Sequence, residues 1–382
     1  MRVITDGVIP VKMWLEDIDD GALEQAENLA NLPFAFKHIA IMPDAHQGYG
    51  MPIGGVMATR GVVVPNAVGV DIGCGMLAVQ TRLTVEELPP LREVVERIRS
   101  TVPVGFSHHA IDQPGVPSPP DSAFVIGQQW EAAQRQLGTL GGGNHFIEVQ
   151  ADERNQAWLM IHSGSRNLGK QVADCYNKVA VDLNRRWFSS VPKEHQLAFL
   201  PTDIEEGQNY LSEMEYCVEF ALANRLRMLE LVVEAFGADN LLGDNNIINI
   251  AHNYAAMENH YGQNVLVHRK GATKAYEGQL GIIPGSQGTS SYIVEGLGNL
   301  ESFKSCSHGA GRRMGRKQAT RELNLADERR RMDEQGIIHD MCSEKQLDEA
   351  AGAYKDIDEV MEQQSDLVKI IHRMRPLAVV KG

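Results

Sequence analysis

The sequence predicts an α+β fold, a single large domain over residues 1–382 with mixed and antiparallel β-sheets flanked by helices. Three observations predict it. A chain of 382 residues can bury a sizeable core. Its strand-like and helix-like runs do not alternate with a βαβ period, which argues against a doubly wound parallel sheet. The one proline-rich stretch has glycine-rich, structured-looking sequence on both sides, so it reads as a loop rather than a domain linker.

Residues 22–31 and 85–101 carry helical spacing, the second interrupted early by Pro89 and Pro90. Residues 38–42 and 55–64 read as short buried strands. Pro114, Pro117, Pro119 and Pro120 make 111–122 a stiff, exposed loop. The longest helical pattern runs over 204–236. There Leu211, Met214, Val218, Ala221, Met228 and Val232 share one face, a stripe that belongs to the core. A last helix is expected over 356–374, ahead of the tail 375–382. No internal repeat or low-complexity tract is present.

No run approaches the roughly 18 apolar residues needed to cross a bilayer. The first residues meet an acid at once and do not read as a secretory signal, so a cytoplasmic location without membrane association is expected. The five cysteines (Cys74, Cys175, Cys217, Cys306 and Cys342) are widely spaced and form no CxxC pair, which argues against a disulfide framework. Cys175 and Cys217 fall in helical patterns and are expected in the core. The net charge of −14 argues against a nonspecific nucleic-acid coat. Yet residues 301–331 hold nine basic side chains against four acids, a local excess of five that suits a grip on a strand end. For Arg329, Arg330 and Arg331, a solvated helix face explains the charge at least as well.

Five segments interrupt apolar runs with residues able to do chemistry. In the first, Asp71 and Cys74 stand among Gly69, Gly73 and Gly75, and a carboxylate and a thiolate three residues apart can share a divalent cation. In the second, Gly141, Gly142 and Gly143 free the backbone to approach phosphate. The alternation that follows places His145, Ile147 and Val149 on one face and Asn144, Phe146 and Glu148 on the other. His162 lies in the third, where an apolar strand meets the polar turn Ser163, Gly164, Ser165, Arg166, and His252 ends the strand-like fourth. Any one such histidine suits a structural role. Cys74, His145, His162 and His252 together, with Asp71 as the hard ligand, make a metal site for two cations if the thiolate bridges. Ligand chemistry alone favours zinc over manganese.

The fifth constellation lies in the last third. The stretch from Pro284 to Ser291 offers backbone N–H and hydroxyl donors to an anion, and His308 occupies a glycine-rich turn followed by Arg312. A neutral imidazole can attack phosphorus if the phosphate charge is neutralised. By spacing alone, an ordinary loop and a structural turn histidine fit equally well. His268, Arg269 and Lys270 suit either phosphate binding or a surface turn.

Taken together these segments resemble the RtcB family of RNA-splicing ligases. The likeness covers nearly the whole chain. It includes Pro43-Asp44-Ala45-His46-Gln47-Gly48, the Asp71/Cys74 turn, Gly143-Asn144-His145-Phe146-Ile147-Glu148 and His162-Ser163-Gly164-Ser165-Arg166. It continues through His252-Asn253, His268-Arg269-Lys270-Gly271-Ala272, Pro284-Gly285-Ser286 and Ser307-His308-Gly309-Ala310-Gly311-Arg312 to Ala353-Tyr354-Lys355-Asp356 and Val380-Lys381-Gly382.

The resemblance implies an RNA ligase dependent on GTP and on two Mn2+ ions. Asp71, Cys74 and His145 would hold one manganese, and Cys74, His162 and His252 the other. His308 would carry the guanylate. The guanylate pocket would comprise Asn144, His145, Phe146, Ile147, Glu148, His252, Asn253, Pro284, Gly285, Ser286, Gln287, Ser291, His308, Gly309, Ala310, Gly311, Tyr354 and Lys381. In it Glu148 and Lys381 would read guanine edges, Tyr354 would cover the ring and Asn144 would hold phosphate. Arg166, Arg312 and Arg316 are candidates for RNA phosphates. Implied substrates are RNA 3′-phosphate or 2′,3′-cyclic phosphate ends and 5′-hydroxyl ends, in RNA repair or tRNA splicing, and an archease-like activator is an implied partner. Gln287 stands where the family often has Met, Gly315 where it often has Ser, and Ala351 where it often has Pro. These departures bear on substrate preference and leave the ligands and nucleophile in place. Two other readings of the same residues are a dimetal phosphatase or nuclease, and a catalytically silent GTP- or RNA-binding relative.

Overall fold

In a computed structural model the described residues are 1–121, 123–237, 241–242 and 247–382. Among them two large sheets dominate. The first orders its strands Arg2–Ile4, Val11–Met13, Ala35–His46, Ile53–Thr59, Gln263–Lys270, Asn253–His260. The second orders them Ile248–Ala251, Gly75–Thr84, Gln156–Ser163, Phe146–Ala151, Val368–Lys381, Ser291–Gly296, Leu280–Ile283. Pairing is antiparallel in both, except that Val11–Met13 runs parallel to Ala35–His46. This is the mixed α+β arrangement that the absence of a βαβ period predicts.

The chain passes from the edge of the second sheet to the edge of the first at one residue, His252, which lies between Ile248–Ala251 and Asn253–His260. The crossing is tied on both sides. His252 N–H donates to the Cys74 carbonyl at 2.8 Å and Gly73 N–H to the Asn253 carbonyl at 2.8 Å. The Asn253 side chain accepts from Gly271 N–H at 2.7 Å and donates to the Asp71 carbonyl at 3.0 Å. A seam between two sheets thus gathers the ends of several strands.

The helix Glu205–Phe236 lies under the second sheet and buries Met214, Ala221, Met228 and Val232 of the expected stripe, with Leu211 and Val218 packed at its margin. Its buried Glu213 accepts from the free N–H groups of Phe124, Val125 and Ile126 and so caps the helix Phe124–Gln136 from a distance. The early helices are Asp20–Ala30 and Leu91–Thr101, the latter starting after Pro89 and Pro90 rather than at 85 because each proline lacks the N–H an interior turn needs. The proline-rich segment is irregular and largely solvent-facing over 111–121, held by the Tyr216 hydroxyl donating to the Pro117 carbonyl at 2.7 Å. Its last residue, Ser122, lies outside the described residues. Cys217 is buried as expected, Cys175 is half-buried, and all five cysteines are free.

One expectation fails. Residues 356–374 are not one helix. A short helix, Ile357–Glu362, is followed by the strand Val368–Lys381, which takes in the tail as well. The strand lies between Ser291–Gly296 and Phe146–Ala151, so ladders on both sides outweigh the helix-like spacing. It delivers Lys381 into the site. No helix among the described residues is long and apolar enough to cross a membrane.

Candidate active site and metal centre

The seam brings together every metal-capable residue picked out from the sequence. Cys74 precedes Gly75–Thr84, His145 precedes Phe146–Ala151, His162 is next to last in Gln156–Ser163, and His252 is the crossing residue. Cys74 Sγ lies 3.4 Å from His145 Nε2 and 3.3 Å from His162 Nε2. His162 Nε2 lies 3.4 Å from His252 Nε2, and His145 Nε2 lies 3.1 Å from Asp71 Oδ2. Ligand atoms of Cys74, His145 and His162 all fall within 4.8 Å of one another, and the three residues are buried.

The proton bookkeeping of this cluster tests whether it suits a cation. His145 Nδ1 contacts the Leu140 carbonyl at 3.0 Å and His162 Nδ1 the Asn144 carbonyl at 3.2 Å. A carbonyl only accepts, so each ring carries its proton on Nδ1 and turns an Nε2 lone pair inward. His145 Nε2 then faces the Asp71 carboxylate acceptor to acceptor. Burial pushes the Cys74 thiol well above its ordinary range, with Asp71 adding to the effect. Burial likewise holds the His162 and His252 imidazoles far below theirs, so both rings are neutral. His252 Nδ1 is buried with no hydrogen-bond partner among the described residues. The His145 and His162 lone pairs converge on one sulfur, with both tautomers fixed by carbonyls, and a divalent cation that displaced the thiol proton would satisfy them all.

His308 stands beside this centre, its ring centroid 4.7 Å from that of His252. The strand Ser305–Ser307, paired to Ala272–Lys274, carries it there. Its partner is a residue to which the sequence pattern alone assigned no role. Asp44, wholly buried in the strand Ala35–His46, accepts from His308 N–H at 3.0 Å, Gly309 N–H at 3.2 Å and His308 Nδ1–H at 2.6 Å. Burial opposes charge on Asp44, but the His308 ring facing it holds its carboxyl below the usual range. A proton therefore sits on Nδ1, so that the neutral form of the His308 ring has its lone pair on Nε2. Gly311, at φ 73°, lets this turn pass against the strand, since a Cβ there would fall 2.1 Å from the Asp44 carbonyl oxygen.

Among the guanylate-pocket candidates, Phe146, Ile147, Glu148, Ser291 and Lys381 lie on neighbouring strands of the second sheet. Glu148 is buried, with the Gln150 amide donating to it, and burial raises its carboxyl to about 7 against the opposing pull of Gln150 and Lys381. Lys381 Nζ lies 5.7 Å from the Phe146 ring centroid, and burial pulls its ammonium down. Ser291 Oγ accepts from Gln150 at 3.0 Å, and Gln287 donates to the Glu349 carbonyl at 3.0 Å. The Tyr354 hydroxyl donates to Glu349, and Arg312 stacks over the Tyr354 ring at 5.0 Å. The loop after Pro284 is less open than expected: Gly285 N–H donates to Ser291 Oγ at 3.2 Å and Ser286 N–H to Thr289 Oγ1 at 2.7 Å.

The three arginine candidates differ. Arg166 Nε donates to Thr139 Oγ1 at 3.0 Å and Nη2 to the Gly105 carbonyl at 2.9 Å, pinning it against the glycine run. Arg312 is engaged by Tyr354 and by Glu349 at 3.4 Å. Arg316 bonds Glu349 at 3.1 Å but is half-exposed. The glycine run lies between Arg166 and Arg316. Gly141 and Gly143 take φ of 94° and 71°, and side chains there would meet Arg166 Nη1 at 2.1 Å and Arg316 Nη2 at 3.0 Å. The segment from His268 to Lys270 is neither a surface turn nor a phosphate cradle. All three residues are buried, with Arg269 paired to Glu258 and Lys270 donating to the Tyr49 and Asn66 carbonyls. Arg225, also missed, is fully buried and donates to the Gly73 and Ser163 carbonyls at 3.1 and 2.8 Å, bracing the turns that present Cys74 and His162. An arginine inside an otherwise apolar helix pattern was the signal.

Comparison with known proteins gives the family. The family model described as tRNA-splicing ligase RtcB matches residues 25–116 and 107–382. The chain is similar to an RNA-splicing ligase RtcB of Escherichia coli K12, 40% identical with 100% of this chain and 99% of that protein covered. It is similar also to a tRNA-splicing ligase RtcB of Thermococcus kodakarensis, 34% identical over 100% of this chain and 94% of the other. An RNA-splicing ligase RtcB of Mycobacterium bovis is 34% identical over 94% of this chain and all of its own length. With matches that run from end to end, the chain belongs to the RtcB family of RNA-splicing ligases.

Proposed function

We propose that this RNA ligase joins an RNA 3′-phosphate to a 5′-hydroxyl through a guanylate carried on His308, with GTP as the nucleotide and Mn2+ as the metal. The observation that carries the reading is the Asp44–His308 contact at 2.6 Å, which leaves Nε2 as the candidate nucleophile beside the Cys74-centred cluster. A dimetal phosphatase or nuclease attacking with water has no use for that pair. Residues 1–382 act as one catalytic unit.

In the proposed sequence His308 Nε2 attacks the α-phosphorus of GTP. The bond from that phosphorus to the bridging oxygen breaks, and pyrophosphate leaves with the electron pair. Asp44 accepts from His308 Nδ1–H throughout and balances the charge that develops on the ring, as a buried carboxylate does for a catalytic imidazole. An oxygen of the RNA 3′-phosphate then attacks the same phosphorus, and the P–N electron pair returns to Nε2. Finally the 5′-hydroxyl attacks the activated RNA phosphorus, loses its proton to solvent and expels GMP. A 2′,3′-cyclic end is opened by hydrolysis beforehand. Asp71, Cys74, His145, His162 and His252 are the residues that would hold the cations, whose chemistry is to neutralise phosphate charge. Glu148 and Lys381 hold guanine edges, Tyr354 covers its ring, and Asn144 takes phosphate. RNA repair or tRNA splicing in the cytoplasm, with an archease-like activator, is the setting this reading implies.

The test is incubation with α-labelled GTP and Mn2+, followed by denaturation. Label that acid removes and base spares is expected on the native protein and absent from His308→Ala. Label persisting in that variant means another nucleophile. Ligation of 3′-phosphate to 5′-hydroxyl RNA, with GTP and ATP compared, checks the rest.

A further inference from the structure

On the protein's surface next to the glycine run is an open cleft of about 370 Å³, lined by Arg316, Lys317, Thr320, Lys345 and Asp348. Two separate segments build it, the helix Arg316–Glu322 and the turn Glu344–Glu349. Three cations therefore meet one acid, on a molecule whose overall charge is −14. Arg316 is shared with Glu349 at 3.1 Å, but among the described residues Lys317 and Lys345 have no ion-pair partner and both are exposed. A concave, cationic spot on an acidic body focuses a field that an isolated surface lysine does not. Its inner wall is part of the site already described: Arg316 Nη2 lies 3.0 Å from where a Gly143 side chain would start, and the Asn144 carbonyl next along orients His162.

We infer that this cleft is a backbone-phosphate subsite for the RNA strand, with Lys317 and Lys345 as its ligands and the Thr320 hydroxyl as an added donor. The inference rests on the ligase reading above. The feature that selects RNA backbone over the guanylate is exposure. Lys317 and Lys345 are exposed on the surface, whereas the nucleotide candidate Glu148 is buried. Interactions there are made to phosphate and carry no sequence information, as expected of an enzyme that joins ends of varied sequence.

The experiment measures ligation with native protein, Lys317→Gln, Lys345→Gln and the double variant. Each is assayed over a range of salt concentration on RNAs several nucleotides longer than the joined ends. Arg185→Gln, an exposed charge change on another helix, is the control. The expected result is a KM for RNA raised roughly threefold per lysine, with kcat nearly unchanged. The double variant's affinity should also depend less steeply on salt, by about 0.7 in log–log slope for each single-strand phosphate no longer neutralised. An unchanged KM and salt slope in the double variant overturns the subsite. Guanylate labelling of the native protein without RNA is the separating measurement, because its absence would sink the ligase mechanism and not the cleft.

Discussion

Two buried clusters of ionisable side chains lie within the first sheet and its seam, and they are built on opposite terms. Around Glu258 every carboxylate oxygen meets a donor: Arg269 at 2.7 and 3.0 Å, His260 at 3.0 Å, Lys274 and the Tyr276 hydroxyl each at 3.2 Å. The His260 hydrogen bond and the Arg269 charge hold the Glu258 carboxyl far down despite its burial, and Tyr254 and Glu258 hold the Arg269 guanidinium up. Around Cys74 the reverse holds. Sulfur, imidazole nitrogens and a carboxylate oxygen point at one another, and the tautomers set by Leu140 and Asn144 leave the His145 and His162 nitrogens as acceptors around a single thiol proton. A closed network stabilises a fold, whereas an open set of acceptors is complete only with a cation from outside. Similar residue types buried to a similar degree thus carry opposite meanings, and the hydrogen count tells them apart.

The sharpest way to break this comparison is to damage both clusters and read metal and stability separately. Cys74→Ala should lower metal affinity by more than about 100-fold, abolish ligation and leave thermal unfolding of the metal-free protein nearly unmoved. Glu258→Gln should do the opposite, costing about 3–5 kcal/mol by stranding Arg269 while metal content per folded molecule stays the same. Metal analysis and denaturant unfolding of the two purified variants decide the matter. Equal effects on both readouts would erase the distinction.

A second, smaller effect concerns the buried carboxylate that serves neither cluster. Asp44→Asn keeps the volume but removes the charge opposite His308, so guanylate formation should slow by roughly 10²–10⁴-fold. GTP affinity and metal content should hold. Single-turnover labelling measures the rate. A variant as fast as the native protein would reduce Asp44 to a packing role.

The mildest expected effect is a pH dependence. For the proposed reading of a guanine edge, which offers donors, Glu148 must be ionised to accept them, yet burial raises its carboxyl to about 7. Below that value the group is protonated and GTP binding should weaken; above it binding should strengthen, by up to about tenfold between roughly pH 6 and 8. Glu148→Gln should bind GTP weakly at every pH. Equilibrium binding with native and variant proteins checks the slope, and a native curve flat across this range would take Glu148 out of guanine recognition.

Chemical identity was legible along the chain because it resides in residue type and short spacing. Asp71 and Cys74 around a glycine turn, histidines at strand ends, and His308 in its own turn needed no fold to be noticed. The core stripe of the long helix was likewise readable from its period. Asp44 was passed over, and the reason is geometric: it lies 264 residues from His308 and acts only across a sheet. Arg225 is similar, since its carbonyl partners come from two distant turns. The residues after Asp356 were misread because helix-like spacing is local, while strand identity there depends on ladders to Ser291–Gly296 and Phe146–Ala151.

What the amino-acid order determined by itself is the inventory of metal-capable side chains, the helix core and the family likeness, all carried by residue type and short spacing. The tertiary structure alone decided which acceptors face each other, that Nδ1 of His145, His162 and His308 holds a proton, and that the last strand brings Lys381 to Glu148. Those depend on atoms within a few ångströms of each other in space but far apart in the chain, and no local pattern encodes such a distance.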